Sequence, residues 1–389
     1  MKVHPTLSIA DGQVEVISGR ELQNYPEWKS VFAESYKDHR YYEIVEQTLD
    51  SGFEHHYFVL RGSDGTVRGV QPLFLVRQNL VEGLRGKVRS LVELIRKKFP
   101  RFLTMRILMV GCAAGEGHLG AATIEDKARL SKALHSTLQA IARQNKASLI
   151  VLKDFPTRYR EWLQLFPGNG YTRIPSMPLT RLELNFSSFD EYFATLGKAT
   201  RKNLRRKFRD AELAGKIDLQ IITDITPHVD EIYPLYLQVH ERSSLKFETL
   251  TKEYFYRLSR DMSDRSRFFL WRKDGRIIAF SLCFVHGDTI YDEYLGMDYR
   301  VALDLHLYFY TLRDIITWAI EQRLRYYCST PLNYDPKLHL KCDLVPLDLY
   351  VRHTGRLVNP IFGRAAKYLE PTRHDPVLRQ FPNAAAMLN

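Results

Sequence analysis

Twice along the chain the residues run through one succession of elements: a β-hairpin, a further strand, a long helix and a closing strand. In the first half, His56–Arg61 and Val67–Arg77 read as strands joined by Gly62-Ser63-Asp64-Gly65, because Gly and Asp tolerate the backbone angles of a tight turn. Met105–Val110 reads as a third strand ahead of a Gly-containing loop. Leu130, Leu134, Leu138 and Ile141 recur at helical spacing in a helix over 124–145, and Ser148–Leu152 closes the block. The second half gives strand Arg267–Arg272, turn Lys273-Asp274-Gly275, strands Arg276–Val285 and Thr289–Gly296, a helix over 301–322 and strand Tyr326–Cys328. The two blocks share this order without visible sequence identity, so the repetition is one of topology.

Strands alternating with helices predict an α/β chain of two tandem domains, each a central mixed sheet flanked by helices. Between the blocks lie a helical stretch, Phe189–Ala214, a strand, Asp218–Ile222, and helices near 228–243 and 252–261. The expected division is an N-terminal domain over 1–184, a C-terminal domain over 185–375 and a tail over 376–389. With 389 residues, 45% of them hydrophobic, the chain has enough material for two cores. The longest strongly apolar run, Ile277–Val285, is a buried strand, far short of the ~18 residues of a membrane helix. Met1–Gly12 carries one Lys and no apolar stretch, so a cytoplasmic location is expected. Cys112, Cys283, Cys328 and Cys342 show no C-x-x-C spacing and read as reduced, mostly buried thiols.

A balance of 56 Lys and Arg against 45 Asp and Glu leaves a formal charge of +11, which favours anionic partners such as phosphorylated cofactors, nucleic acid or acidic lipid. Two segments concentrate it. Within 79–103, Leu84, Val88, Leu91, Ile95 and Phe99 share one helical face among Arg85, Lys87, Arg89, Arg96, Lys97, Lys98 and Arg101. This basic amphipathic insertion suits either packing on its own domain or peripheral contact with anionic lipid. Over 196–209, Lys198, Arg201, Lys202, Arg205, Arg206, Lys207 and Arg209 surround an apolar stripe of Phe193, Leu196, Leu204 and Phe208. That helix can present cations to phosphates or simply to water.

Phe189-Asp-Glu-Tyr-Phe-Ala-Thr-Leu followed by Lys198-Ala-Thr-Arg-Lys-Asn-Leu-Arg-Arg-Lys resembles the entry to the catalytic domain of GNAT-type acyltransferases of the Fem-like, tandem branch. The resemblance continues at Asp274-Gly275-Arg276-Ile277-Ile278-Ala279, at Tyr294-Leu-Gly-Met-Asp298 and at Tyr334-Asp335-Pro336-Lys337; Phe102–Gly111 with Lys153-Asp154-Phe155 resembles the first half of such proteins. It implies transfer of an acyl group from a thioester, or of an aminoacyl group from tRNA, to an amine. A splayed strand would offer backbone N–H groups to the carbonyl, and the following helix N-terminus would hold the donor pyrophosphate. The matching place runs from Gly296 to Leu305, with Arg300, Leu303 and, further on, Lys337 as donor contacts. Asp298-Tyr-Arg-Val-Ala-Leu-Asp-Leu departs from the Gly-rich loop usual there. Acid and base candidates are Asp292 and Glu293, which point to opposite sides of a strand, and Tyr308 or Tyr310 early in the helix. Lys198, Arg201, Arg205 and Lys341 are candidates for substrate binding.

Gly115-Glu-Gly-His-Leu-Gly120 fits the dinucleotide spacing G-x-G-x-x-G, but the helix is expected to open only near Thr123, so the loop reads as a turn or an anion contact. Neither a Walker A loop, a nucleophile elbow nor Cys/His zinc spacing occurs, and no metal is expected. The expected activity is acyl transfer from acyl-CoA to an amine of a small molecule, peptide or cell-envelope precursor, with no stable DNA complex. Two alternatives stand beside it: a Fem-like transferase drawing on aminoacyl-tRNA, and a non-catalytic protein resting on an anionic membrane through 79–103.

Overall fold

A computed structural model of the protein describes residues 6–49, 52–79, 104–243, 246–368 and 370–388. The amphipathic insertion expected over 79–103 lies outside the described residues, apart from Asn79 at the end of a strand. In chain order the strands are β1 (Leu7–Ile9), β2 (Gly12–Ile17), β3 (Phe53–Gly62), β4 (Val67–Asn79), β5 (Thr104–Val110), β6 (Leu149–Pro156), β7 (Thr172–Glu183), β8 (Asp218–Ile222), β9 (Ser266–Lys273), β10 (Arg276–His286), β11 (Thr289–Met297), β12 (Tyr326–Ser329) and β13 (Asp343–His353). The principal helices are α1 (His39–Thr48), α2 (Ile124–Gln144), α3 (Phe189–Thr195), α4 (Lys198–Leu213), α5 (Val229–Arg242), α6 (Lys252–Asp261), α7 (Leu307–Glu321), α8 (Tyr334–His339) and α9 (Asn359–Tyr368).

The chain forms two compact units: one of residues 1–33, 51–176 and 347–370, the other of 34–50, 177–346 and 371–389. This differs from the expected single cut after 184 and from a separate tail over 376–389. Segment 34–50, early in the sequence, packs within the second unit, while 347–370, late in the sequence, packs within the first. The sheet pairings explain why. In the first unit β1 to β5 follow one another as antiparallel neighbours, β5 pairs with β6 in parallel, and β6 is flanked by Leu347–His353 of β13. In the second, β8, β9, β10 and β11 follow in the same way, β11 pairs with β12 in parallel, and β12 is flanked by Thr180–Glu183 of β7. Each sheet is thus completed by a strand from the other half of the sequence.

Helix α2 shows why the first core forms where it does. Thr123 caps it, its Oγ1 accepting the Asp126 N–H at 3.1 Å, Glu125 and Asp126 stand in the first turn, and Leu130, Leu134, Leu138 and Ile141 are buried against β-strand residues such as Leu108 and Ile150. The second core gathers Phe269, Trp271, Ile278 and Ala279 from the sheet with Leu312, Ile315, Ile316 and Ala319 from α7. Expectation and structure differ at that helix: it begins at Leu307, not at 301, because His306 adopts a left-handed φ of 48° and breaks the run. Strands β7 and β13 and helix α9 had no counterpart in the sequence reading. The cysteines are free, with Cys112, Cys283 and Cys342 buried.

Candidate active site

The ladder between β11 and β12 pairs Thr289–Asp292 with Tyr326–Ser329 and ends there, while β11 continues to Met297. Opposite β10, Cys283 pairs with Asp292 and Leu282 with Tyr294, so Glu293 is an extra residue, a β-bulge at the point of divergence. The bulge turns two successive carbonyls toward the same neighbour: Thr330 N–H donates to Asp292 O at 3.3 Å, and Thr330 Oγ1 to Glu293 O at 3.4 Å.

Asp292 faces the α7 side. Ser281 Oγ donates to its Oδ1 at 2.5 Å and Tyr327 OH to its Oδ2 at 2.8 Å; the Cys283 thiol stands 3.8 Å away. Burial pushes the Asp292 carboxyl above its ordinary range despite these donors, and burial with the Asp292 charge pushes the Tyr327 and Tyr308 phenols up as well. Tyr308 also contacts the Asn333 side chain. Tyr310 is buried, with the Arg313 guanidinium 3.9 Å from its ring centre, and belongs to the packing. Lys337 is only 3% exposed, and its ammonium donates to Thr330 O at 2.5 Å and Leu332 O at 2.9 Å. Burial draws its pKa down to about 8 against the pull of the Cys342 and Asp292 charges. Lys337 therefore knots the 330–333 turn, where Leu332 and Asn333 both have positive φ, rather than standing out as a ligand for donor phosphates. Lys341, also at positive φ, is exposed.

Glu293 points to the opposite face. Its carboxylate accepts from Tyr36 OH at 2.7 Å and pairs with Lys37 Nζ at 2.9 Å, with Lys37 only 1% exposed. Tyr36 stacks on Tyr291 at 3.7 Å, and the Lys37 ammonium lies over the Tyr36 and Tyr41 rings. The segment ahead of α1 thereby clamps the bulge. Sequence reasoning missed Tyr36, Lys37, Ser281 and Tyr327; nothing local marks them, since Tyr36 and Glu293 stand 257 positions apart.

The expected donor loop behaves differently from the expectation. A Cβ on Gly296 would lie 2.2 Å from the Phe280 ring and 2.7 Å from the Tyr236 backbone nitrogen, so Gly is required there by packing. Arg300 is exposed and folds back on Asp298 at 2.6 Å; Leu303 is exposed and Leu305 buried. Val301 and Ala302 N–H donate to Asp298 O, Arg300 N–H to Asp298 Oδ1, Leu305 N–H to Val301 O, His306 N–H to Leu303 O and Leu307 N–H to Ala302 O. These donors are spent within the turn, leaving none of them for a pyrophosphate.

A family model, FemAB_like, described as peptidoglycan biosynthesis/recognition, matches residues 24–329. The chain belongs to the FemAB_like family. Its two GNAT-like units, each a mixed sheet with helices, are those that the Fem-like resemblance implies. Among curated relatives, a chain from two strains of Mycobacterium tuberculosis, provisionally named 8-amino-7-oxononanoate synthase 2, is 24% identical over 328 residues, 80% of this chain and 42% of that one. The FemAB_like chain thus spans less than half the length of those relatives. Among solved structures, L-PGS from Bacillus licheniformis is similar in fold, at 12% identity and a TM-score of 0.50, covering 95% of this chain and 100% of that one. FemX gives 12% identity and a TM-score of 0.49 over 80% and 90% of the two chains.

Helix α4 of this FemAB_like chain buries Leu204 and Ala211 and exposes Lys198, Lys202, Arg205, Arg206 and Arg209. Arg201 is not part of that open face: it donates to Ala194 O at 2.8 Å and Leu196 O at 2.5 Å, capping the end of α3. Arg205 lies over Phe193 and Lys207 over Phe309, at 5.4 and 3.3 Å from the ring centres, which anchors α4 beside the start of α7.

In the first unit the corresponding place after β5 is filled. Loop 111–121 is buried almost throughout, Gly117 N–H donates to Asp154 O at 3.0 Å, and Gln71 holds the loop through His118 O and the Gly120 N–H. A Cβ on Gly117 would sit 2.5 Å from Lys153 O. The G-x-G-x-x-G spacing therefore serves close packing, and α2 opens after it. Among the described residues no group of side chains is arranged to hold a metal ion, and no helix is long and apolar enough to cross a membrane.

Proposed function

We propose that this FemAB_like chain is a transferase that moves an acyl or aminoacyl group onto an amine acceptor, and that the reaction takes place where β11 parts from β12. The observation that supports this reading is the bulge at Glu293 with Asp292, Tyr327, Tyr308 and the Lys337-tied turn gathered around the parting strands. The filled position in the first unit favours the second as the one that reacts. The description of the family favours a cell-envelope precursor as acceptor.

Acyl transfer needs an unprotonated nitrogen, donors for the developing oxyanion and a proton for the leaving group. The nitrogen lone pair forms the new C–N bond as the C–S or C–O bond of the donor breaks. Asp292, its affinity for protons raised by burial, takes the proton released by the nitrogen. Tyr308, held protonated by its raised pKa, gives one to the departing thiolate or alkoxide. Return of the Asp292 proton to Tyr308 resets the site. Backbone N–H groups of β11 beyond Asp292 supply the oxyanion contacts, and Lys337 positions the 330–333 turn.

Between donors, two observations favour aminoacyl-tRNA over CoA: the N–H groups of Arg300, Val301, Ala302, Leu305, His306 and Leu307, already spent within their own turn, and the exposed cations of α4. Neutralising phosphates along an RNA makes binding steeply salt-dependent, whereas a single CoA pyrophosphate does not. The test follows transfer to a peptidoglycan-precursor peptide from acetyl-CoA, a longer acyl-CoA and charged tRNA in parallel. Product from one donor, lost in Asp292→Asn, supports the reading; no product from any donor and no ligand-induced rise in Tm overturns it.

A further inference from the structure

The first unit carries an apolar and basic patch that has no part in the proposed reaction. Leu357, Val358, Ile361 and Tyr368, within twelve residues at and before α9, are 87%, 48%, 68% and 77% exposed. In α9 the inward face is Phe362, Gly363 and Ala366; Ala366 is buried, and a Cβ on Gly363 would lie 2.5 Å from Thr172 Oγ1. That contact fixes the rotation of the helix and turns Ile361, Ala365 and Tyr368 outward. The usual amphipathic order, apolar inside and polar outside, is absent here.

The surroundings of the patch indicate what covers it. Arg356, Arg364 and Lys367 flank it, are exposed and make no ion pair with any described residue, and no Asp or Glu occurs from Leu349 to Leu369. The mount is firm: Asn359 accepts from the His353 N–H at 2.8 Å and donates to Gly170 O at 2.7 Å, tying the start of α9 to β13. A protein partner that merely buried apolar area would gain nothing from a ring of uncompensated cations. An anionic bilayer surface meets both features at once, taking aliphatic side chains at the acyl boundary and placing acidic head groups against the cations.

We infer that the 356–368 patch is a peripheral docking surface for an anionic lipid bilayer. The test is flotation of the full chain with vesicles of phosphatidylcholine alone and of phosphatidylcholine with 30% phosphatidylglycerol, beside the variants Leu357→Asp/Ile361→Asp and Arg364→Gln/Lys367→Gln. Every substituted side chain is exposed, so Tm is expected to hold. Binding is expected only to the anionic vesicles, to fall with added salt, to weaken about 25-fold when the two cations are neutralised, at roughly fivefold per cation, and to weaken more than about tenfold in the double Asp variant. Three results overturn the inference: no binding to anionic vesicles, binding by both variants as tight as that of the parent, or a concentration-dependent dimer abolished by the Asp variant without vesicle binding, which assigns the patch to a second copy of the chain.

Discussion

Asp292 is the residue on which the proposed chemistry turns, and its partners predict how a substitution reads. Asp292→Asn keeps the shape and one accepting oxygen, the other hydroxyl of the Ser281 and Tyr327 pair turning to accept from the amide N–H, but removes the base, so kcat is expected to fall about 100-fold or more while the fold is retained; transfer at the parental rate would remove Asp292 from the mechanism. Gly296 predicts the reverse pattern. In Gly296→Ala the new methyl meets the fully buried Phe280 and the Tyr236 backbone, and the fold is expected to lose about 3 kcal/mol in denaturant unfolding. Lys337 gives a pH dependence. Its pKa falls from 10.5 unfolded to about 8 folded, so between those values the unfolded chain binds more protons and stability rises with pH. The gain is complete above the unfolded value, is lost as pH falls through the folded one, and amounts to about 3 kcal/mol. Urea unfolding of the parent and of Lys337→Met at pH 7.5 and 10 checks this: the buried Cys283 and Cys342 thiols, pushed up by burial, pull the other way in both chains, so the parent should gain stability relative to the variant, and an equal change in the two would remove Lys337 from the pH dependence. Asp292, Tyr308 and Lys337 stand out in the sequence as candidates, Lys337 as a donor contact and not as the tie of the 330–333 turn. Tyr327 and Ser281 were not, because they enter only as strand neighbours in a register that no local pattern reveals.

At the scale of the element, strand β11 departs from regular pairing at one residue, and a buried ion pair holds it there. The Lys37 and Glu293 charges are both nearly enclosed, so Lys37→Met leaves a carboxylate without its cation and is expected to cost about 3 to 5 kcal/mol. The double variant Lys37→Met/Glu293→Gln should recover part of that loss, and an additive result in the cycle would show that the pair does not hold the bulge. Legibility followed local chemistry. Helix α2 and the hairpin β9–β10 could be read because an N-cap, a 3.6-residue stripe and a Gly turn all lie within the segment. Strands β7 and β13 escaped because Pro175, Pro178 and Pro346 interrupt them, and Pro argues against a central strand. The start of α7 was misplaced because residues 298–322 contain neither Pro nor Gly, and nothing in the sequence announces that His306 takes a left-handed conformation.

For the molecule as a whole, the reciprocal strands matter most. A chain cut between 184 and 185 leaves its first fragment without the Leu347–His353 strand that pairs with β6, and its second without the Thr180–Glu183 strand that pairs with β12. Each fragment would then expose an unpaired strand edge: β6, with Ile150, Leu152 and Phe155, in one, and the four-residue β12, with Tyr327, in the other, all four side chains buried in the intact chain. The two fragments produced separately are expected to aggregate, whereas produced together they should assemble into a soluble pair that elutes with the full chain. A fragment of residues 1–184 that folds alone with a cooperative transition would mean that the exchanged strand is dispensable, and that the boundary visible in the sequence is a true folding boundary. Because β13 runs unbroken from Asp343, in the second unit, to His353, in the first, the two units are expected to unfold together. Substitutions in β13 such as Tyr350→Ala, in the core of the first unit, should lower the single Tm at which transfer activity is lost, although Tyr350 lies outside the unit assigned the chemistry.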